Sequence, residues 1–214
     1  MANVLVVVAH PDDEALGCGG TIAKHVDNDD TVQVMWMITR GLGDSISRSL
    51  AALSPGAVQT MGSAKIDSLL DQQFDVAPLV DLVKSIDDRK KLDPDIIYTH
   101  WPHDLNQDHA LTARAVLTAF RPKPAAGPCT ILAFETLSST EWSHGYRAFE
   151  PNWYEPLSIT QVRNKIKAME CYESEMKDSP HPRSVQGIMD RAKVRGNECG
   201  HMYAEAFHVI RRVG

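Results

Sequence analysis

The apolar run near the N-terminus constrains the fold more than any other feature of this sequence. Residues 4–9 are apolar without interruption, and four of the six are valine. Because polar residues do not alternate with apolar ones, the run is typical of a strand buried on both faces, as in a parallel sheet. It is also far too short to span a bilayer. The run therefore predicts a strand of a parallel α/β sheet.

Strand-like and helix-like segments alternate along the rest of the chain. Short apolar runs predict further strands at residues 32–39, 96–99, 130–134 and 206–210. Sequence pattern predicts helices at about 12–25, 57–70, 76–91, 108–120, 160–174 and 185–195. Two stretches, 45–56 and 135–159, show no clear period.

This alternation implies βαβ units, so we expect a Rossmann-like, three-layer α/β/α sandwich with a mostly parallel sheet. Neither an internal repeat nor a Gly/Ser-rich linker divides the 214 residues. We therefore expect residues 1–214 to form a single domain.

Charge and cysteine content exclude several classes of protein. The chain carries 22 Lys and Arg against 28 Asp and Glu, a formal net charge of −6. Because it also lacks a long basic run, we expect it to bind neither nucleic acid nor a membrane. Its four cysteines form no CxxC pair, so a zinc knuckle and a disulfide scaffold are unsupported, and we expect reduced thiols in a cytoplasmic protein. The first three residues lack the basic start of a secretory signal.

Two polar clusters follow predicted strands. The first, HPDDE at residues 10–14, comes directly after the first strand, and the second, DLNQDH at residues 104–109, comes after the third. Each cluster combines His with carboxylates. Since ligands of parallel α/β sheets bind beyond the carboxyl ends of the strands, we predict an active site at this edge of the sheet.

The two clusters together have the residues of a catalytic metal site. Such a site takes three ligands from His and carboxylate and leaves one position for water. His10 and Asp13 are three residues apart, so a tight turn aims both at one point, and His109 completes the set from the neighbouring loop. Asp12 lies beside a ligand at a different angle, where it is free to accept a proton from the metal-bound water. Asp108 is placed to hydrogen-bond a ligand imidazole or to orient the substrate.

Structural explanations exist for each residue taken singly. Asp12 is also suited to cap a helix, and His109 to be a buried histidine with satisfied hydrogen bonds. Two such clusters at strand ends favour the metal site over these explanations. The nearby segment Gly17-Cys18-Gly19-Gly20 lacks GxGxxG spacing and lies inside a predicted helix, so we interpret its glycines as sites of close helix–sheet packing.

The string at residues 10–14 resembles the signature of the PIG-L/LmbE-like N-deacetylases, and the pair Asp108-His109 resembles that family's second motif. Residues 16–22, 135–142 and 203–207 are also similar to segments of its soluble members, so the resemblance spans nearly the whole chain. It implies a metal-dependent hydrolase, usually with zinc, that removes an acyl group from an N-acylated amino sugar.

The resemblance also implies roles for individual residues. His10, Asp13 and His109 would bind the metal, and Asp12 would activate the attacking water and pass its proton to the leaving amine. Acetate and a free amino sugar would result from a small-molecule substrate such as an N-acetylglucosamine compound. Relatives often form trimers or hexamers, so a homo-oligomer is expected.

The chain departs from the family's pattern at two positions. Many members carry an oxyanion-stabilising His three residues before the last metal ligand, where this chain has Asn106. An amide donates a hydrogen bond but is not a cation. We therefore expect that Asn106 acts as a donor, that His103 or His100 of the same loop takes the role, or that the metal alone suffices. Many members also carry an Arg with a Glu a few residues on, whereas no Glu follows Arg48 in the next four residues.

Substrate binding has four candidate residues, Arg40, His103, Arg48 and Trp142. Arg40 follows the second strand, where it either binds a sugar hydroxyl or a phosphate or lies in a solvated loop. Trp142 lies in the aperiodic segment, where it either stacks on a sugar ring or packs that segment onto the domain. Because long loops often act as lids, we favour the substrate-facing position for Trp142.

Two other interpretations stay open. Two His and one carboxylate also form the triad of non-haem iron enzymes, and both zinc and iron(II) accept these ligands. The second alternative is a sugar- or nucleotide-binding module without catalysis. A module of that kind has no need for a base such as Asp12 beside the metal, which argues against it.

Overall fold

The N-terminal apolar run forms strand β1, Asn3–Val8, at an inner position of the sheet. The computed structural model describes residues 1–39, 41–54, 79–87, 93–122, 129–143 and 147–213. β1 pairs in parallel with β2, Thr31–Trp36, on one side and with β3, Ile96–His100, on the other. Every residue of β1 after the first is buried, which confirms the predicted doubly buried strand.

The remaining strands extend the sheet beyond β3. β4, Cys129–Phe134, is parallel to β3; β6, Ala204–Val213, is antiparallel to β4; and β5, Trp153–Pro156, is antiparallel to β6. Within the described residues the strand order is β2-β1-β3-β4-β6-β5. The predicted mostly parallel sheet is confirmed. Strand β5 lies in the stretch 135–159, for which the sequence shows no clear period. This four-residue edge strand is only partly buried, so its residues do not alternate between apolar and polar.

Six α-helices flank the sheet in the described part of the chain. They are α1, Asp13–Asp27; α2, Gly43–Leu53; α3, Leu79–Asp87; α4, Gln107–Ala119; α5, Ile159–Glu170; and α6, Val185–Cys199. Helix α2 occupies a stretch in which the sequence shows no clear period, and the predicted helix at 57–70 lies outside the described residues. None of the described helices has the length and apolar character needed to cross a membrane.

The side chains of β1 point alternately into two cores, and this makes the architecture three-layered. Val4, Val6 and Val8 belong to a core that includes residues of α1, α2, α5 and α6. Leu5 and Val7 belong to a second core on the other face of the sheet, with residues of α3 and α4. The Rossmann-like α/β/α sandwich is therefore confirmed.

The glycines of α1 allow this helix to lie close to the sheet. A Cβ atom at Gly17 would lie 2.3 Å from Cδ2 of the buried Phe134 ring, and a Cβ atom at Gly20 would lie 2.4 Å from Cδ1 of Leu157. The rigid ring of Phe134 leaves no room for a side chain at Gly17, whereas the contact at Gly20 is with the end of a flexible leucine side chain. The Gly17 contact supports the interpretation that these glycines serve helix–sheet packing.

We expect Gly17→Ala to lower the free energy of unfolding by about 1–3 kcal/mol, because the added methyl overpacks a buried aromatic ring. Urea denaturation of the metal-free protein measures this difference. Gly43→Ala is the matched control, since Gly43 is also helical and a Cβ atom there would meet no neighbouring heavy atom within 4 Å. Equal stability of the two variants would contradict the packing argument.

Candidate metal centre

An open cleft of ≈ 630 Å³ lies at the carboxyl ends of β1, β3 and β4. The loop after β1 and the start of α1 contribute His10 to Asp13. The loop after β3 contributes Asn106, the first turn of α4 contributes His109, and the loop after β4 contributes residues 136–139. A fourth wall comes from the connection between α5 and α6. The cleft therefore lies at the edge of the sheet where the sequence predicts an active site.

The loop after β1 turns sharply at Asp12, and the turn brings His10 and Asp13 together. Asp12 has φ 113°, a backbone conformation that residues other than glycine rarely adopt. The Asp13 N–H donates to the His10 carbonyl at 3.3 Å, and the His10 N–H donates to Oδ2 of Asp13 at 2.8 Å. Two hydrogen bonds between residues three apart thus fix the turn.

His10, Asp13 and His109 direct their side chains toward one point. All three are buried, and each offers one ligand atom within 4.8 Å of the others. Nε2 of His109 lies 3.3 Å from Oδ1 of Asp13, and Nδ1 of His10 lies 3.4 Å from Oδ2. The structure thus brings together the three residues that the sequence proposes as metal ligands.

Two further carboxylates hold the imidazoles from the other side. Nε2 of His10 donates to Oδ2 of Asp108 at 2.9 Å, and Nδ1 of His109 lies 3.2 Å from Oδ1 of Asp104. Partners of this kind fix the tautomer and orientation of a ligating imidazole. Of the two roles predicted for Asp108, the structure places this residue in the first, hydrogen-bonded to the imidazole of a proposed ligand. Asp104 belongs to the predicted cluster, but sequence reasoning gave it no role.

Asp104 is itself held by the loop after β4. Its carboxylate accepts hydrogen bonds from the hydroxyls of Ser139 and Thr140 and from the Asn106 N–H, the last at 2.9 Å. The carboxylate is thus fixed by three donors while it contacts His109. Nothing in the local sequence pairs Asp104 with Ser139, because one residue follows β3 and the other follows β4.

We expect Asp104→Ala to weaken metal binding by about 10- to 100-fold, because His109 loses the carboxylate that orients its ring. Competition with a chromophoric chelator measures the affinity directly and needs no substrate. Asp190→Ala, an exposed carboxylate on α6, is the control. An unchanged affinity in Asp104→Ala would refute the orienting role.

His100 lies beneath the centre and not in the cleft. It is fully buried, and its ring stacks on His109 with the centroids 4.0 Å apart. Its Nε2 accepts the Ala9 N–H at 3.0 Å, so Nδ1 carries the proton and donates to Thr136 Oγ1 at 3.2 Å. Burial and the charge of His109 lower the pKa of His100 to about 4. A neutral ring with both nitrogens engaged does not replace the oxyanion-stabilising His.

The charges around the centre favour a cation. Although burial opposes it, hydrogen bonds to Asp108 and Asp13 raise the pKa of His10 to about 9. Burial also opposes protonation of His109, but the charge of Asp13 and the hydrogen bond to Asp104 raise its pKa to about 10. Despite burial, the neighbouring imidazoles of His109, His100 and His10 hold the pKa of Asp13 well below its usual range.

These residues fit a divalent metal. Two imidazoles and one carboxylate form the ligand set of catalytic zinc sites, and iron(II) accepts the same set. Metal binding would replace the imidazole protons that the surrounding carboxylates otherwise retain. The donor set and its electrostatic environment therefore agree with a metal at this position.

Asp12 lies beside the centre with its backbone held by Glu14. The Asp12 N–H donates to Oε2 of Glu14 at 3.2 Å. Oε2 also accepts Trp36 Nε1–H at 3.0 Å, while Oε1 accepts the hydroxyls of Ser49 at 2.9 Å and Tyr172 at 2.6 Å. Glu14 is completely buried, and these hydrogen bonds join the Asp12 turn to β2, α2 and the segment that follows α5.

Burial, together with the charges of Asp13, Glu14 and Glu175, raises the pKa of Asp12 well above its usual range. One cation opposes this effect, because Nη1 of Arg183 lies 3.5 Å from Oδ2 of Asp12. Sequence reasoning missed Arg183 and Glu175, which line the cleft from the α5–α6 connection. No local pattern indicates them, since Arg183 lies 171 residues from Asp12 in the chain.

Asn106 lies in the cleft wall and also caps a helix. Its Oδ1 accepts the Asp108 N–H at 2.9 Å, so Asn106 is the N-cap of α4. Because the amide oxygen serves the cap, the amide nitrogen is the part of this side chain that is suited to donate in the cleft. The cap explains why an amide is accommodated at this position.

Of the four predicted substrate-binding residues, the three that the structure describes do not line the cleft. Arg40 lies outside the described residues. His103 is exposed and packs against Trp101, and Arg48 contacts Ser45 and the Cys171 carbonyl at 3.4 Å each. Trp142 is 44% exposed and packs edge-on against His181. His103, Arg48 and Trp142 are all absent from the lining of the cleft.

The chain matches a family model and a curated relative. Residues 5–120, more than half of the chain, match the family model described as "PIG-L: GlcNAc-PI de-N-acetylase". The chain is also 26% identical over 184 residues to "Uncharacterized deacetylase YaiS" of Escherichia coli (strain K12), an alignment that covers 80% of this chain and 91% of that protein.

Solved structures that share the fold include a deacetylase and a hydratase. N,N'-diacetylchitobiose deacetylase from Pyrococcus horikoshii superimposes with a TM-score of 0.73 and 19% identity, over 98% of this chain and 84% of that one. GalB, the 4-carboxy-2-hydroxymuconate hydratase from Pseudomonas putida KT2440, superimposes with a TM-score of 0.70 and 20% identity, over 100% and 98%. At these identities the likeness is one of fold.

Proposed function

The chain belongs to the PIG-L family, and on this premise we propose that it is a metal-dependent hydrolase that removes the N-acetyl group from an N-acetylglucosamine-type amino sugar or glycoconjugate and releases acetate. The observation that carries the proposal is the buried group of His10, Asp13 and His109 in the same cleft as Asp12. The deacetylase names of the E. coli and P. horikoshii proteins support the same reaction.

In this proposal His10, Asp13 and His109 hold zinc or iron(II). The ion, when bound, would supply a Lewis acid that polarises the amide carbonyl and makes water a better nucleophile at neutral pH. Asp108 and Asp104 keep the two imidazoles oriented. These roles need no movement of the chain, because the hydrogen bonds that fix both rings are already formed.

Asp12 is the proposed general base. It takes a proton from the attacking water, and the C–N bond breaks as Asp12 returns that proton to the leaving amine. Asn106 donates from its amide nitrogen to the carbonyl oxygen as negative charge develops there. The second proton of the water stays on the acetic acid, which ionises to acetate at neutral pH, and the other product is the free amino sugar.

We further propose that residues 1–214 form one catalytic domain. Support comes from the sheet itself, because β1 near the N-terminus and β6 near the C-terminus belong to one sheet and are separated only by β3 and β4. The loops that line the cleft likewise come from both halves of the chain.

The test is acetate release by purified protein that has been stripped of metal and reconstituted with zinc or iron(II). The substrates are a panel of N-acetylglucosamine derivatives, including N,N'-diacetylchitobiose and an inositol-linked sugar. We expect release with at least one substrate, and loss of release when the metal is removed. No release from any substrate by protein with stoichiometric metal would refute the proposal.

The hydratase that shares the fold defines the strongest rival outcome. Consumption of 4-carboxy-2-hydroxymuconate without any acetate release would assign the chain to hydration. Binding of sugars without turnover would instead favour a non-catalytic module. The fold is common to these cases, so the reaction has to be decided by the chemistry in the cleft.

A further inference from the structure

The connection between α5 and α6 brings a guanidinium to the cleft. Among the described residues that line the cleft, Arg183 is the one that carries a permanent positive charge. Its Nη1 lies 2.7 Å from Oε2 of Glu175 and 3.5 Å from Oδ2 of Asp12. One nitrogen is therefore shared by two carboxylates from distant parts of the chain.

The backbone around Arg183 is closely fixed. The Arg183 N–H donates to His181 Nδ1 at 3.1 Å, and Ser184 caps α6 by accepting the Gly187 N–H at 3.0 Å. A Cβ atom at Gly187 would lie 2.4 Å from the Pro182 carbonyl oxygen, so only glycine allows this approach. Arg183 thus extends from a rigid helix entry toward Asp12.

Glu175 is fixed from the other direction. Its N–H donates to the Tyr172 carbonyl at 2.9 Å, and the Tyr172 hydroxyl donates to Glu14. Glu14 in turn holds the backbone N–H of Asp12. The carboxylate that anchors Arg183 and the backbone of Asp12 are therefore tied to the same buried side chain.

The position of the guanidinium has an energetic cost. Nε of Arg183 is buried and has no hydrogen-bond partner in the described part of the protein. A buried donor without a partner is destabilising and calls for an explanation. The explanation we infer is the contact that this position allows with Asp12. Among the described residues, Arg183 is the sole side chain that makes a hydrogen bond or ion pair with the Asp12 carboxylate.

We propose that Arg183, anchored by Glu175, is a positioning residue that orients the Asp12 carboxylate toward the attacking water. The proposal rests on the function proposed above, in which Asp12 is the base. Because Glu175 has the shorter contact, Arg183 orients Asp12 without forming a close ion pair with it. The Asp12 oxygens thus keep lone pairs with which to accept a proton.

The kinetic test compares Arg183→Gln and Arg183→Lys with the native enzyme in the acetate-release assay. We expect Arg183→Gln to lower kcat by up to about 100-fold, since a misplaced catalytic group loses rate steeply with distance. KM should stay within about twofold, because the lost interaction acts on the reacting groups and not on substrate binding. Arg183→Lys should recover part of kcat, and metal content should be unchanged in both variants.

Matched controls separate orientation from general damage. Arg163→Gln removes an exposed arginine of α5, and Glu173→Gln removes an exposed carboxylate two residues from Glu175. Both controls should behave as the native enzyme, whereas Glu175→Gln should lower kcat by a smaller factor than Arg183→Gln. A raised KM with unchanged kcat in Arg183→Gln would overturn the proposal in favour of a substrate-binding role.

A second measurement does not depend on activity. Crystal structures of the native protein and Arg183→Gln, both loaded with zinc, should show the Asp12 carboxylate displaced or disordered in the variant. An Asp12 carboxylate in the same ordered position would overturn the proposal. If the native protein releases no acetate, the proposed function fails, and the two crystal structures still decide whether Arg183 positions Asp12.

Discussion

Asp12→Asn is expected to lower acetate release by about 100- to 10,000-fold, because the amide cannot accept the proton of the attacking water. Asn is nearly the same size as Asp and tolerates positive φ better than most residues, so the turn at φ 113° should survive. The metal content of the variant should equal that of the native protein, since Asp12 is not among the three grouped ligands. Single-substrate kinetics and elemental analysis on the same samples give both numbers.

The Asp12→Asn variant also separates the proposed enzyme from its rivals. A sugar-binding module would show unchanged ligand affinity and no catalytic change. Asp13→Asn is the complementary variant, because it alters a proposed ligand and should lose metal as well as activity. Metal loss in Asp12→Asn, or full activity in that variant, would be incompatible with a general base at this position.

Glu14→Ala is expected to lower the free energy of unfolding by about 2–5 kcal/mol, since it leaves a cavity and removes the acceptor of two buried N–H donors. Those donors are Trp36 Nε1–H and the Asp12 N–H, both bonded to Oε2. The hydroxyls of Ser49 and Tyr172, which donate to Oε1, can turn to other partners. Urea denaturation of the metal-free protein gives the difference.

Glu14→Gln is the discriminating control for this prediction. Its amide oxygen can replace Oε2 and accept both N–H donors, and its amide nitrogen can replace Oε1 and donate to the two hydroxyl oxygens. We therefore expect a loss of about 1 kcal/mol or less. A large loss in Glu14→Gln would show that the negative charge, and not the hydrogen-bond pattern, stabilises this junction.

The buried strands of the sheet can be predicted from the sequence, because the apolar runs that indicate them are local. The uninterrupted apolar run at residues 4–9 predicts a doubly buried strand, and the polar string that follows it marks the carboxyl end. Strand β5 and helix α2 are not predicted, because their residues show no clear period and so give no local signal. Their placement comes from packing against β6 and α5.

The proposed ligands His10, Asp13 and His109 could be named from sequence, because each lies in a short polar motif directly after a buried strand. The substrate-binding candidates His103, Arg48 and Trp142 could not be judged in this way. Proximity to a motif or a favourable residue type does not determine where a long side chain lies, and none of the three lines the cleft.

The α/β class, the edge of the sheet that carries the site and the residues proposed to hold a metal can all be inferred from the sequence, because strand burial and strand-end motifs depend on consecutive residues. The contacts of Asp104, Glu14 and Arg183 are visible only in the folded chain. Each of them acts through a side chain contributed by another loop or helix, and that partner is known only once the chain has folded.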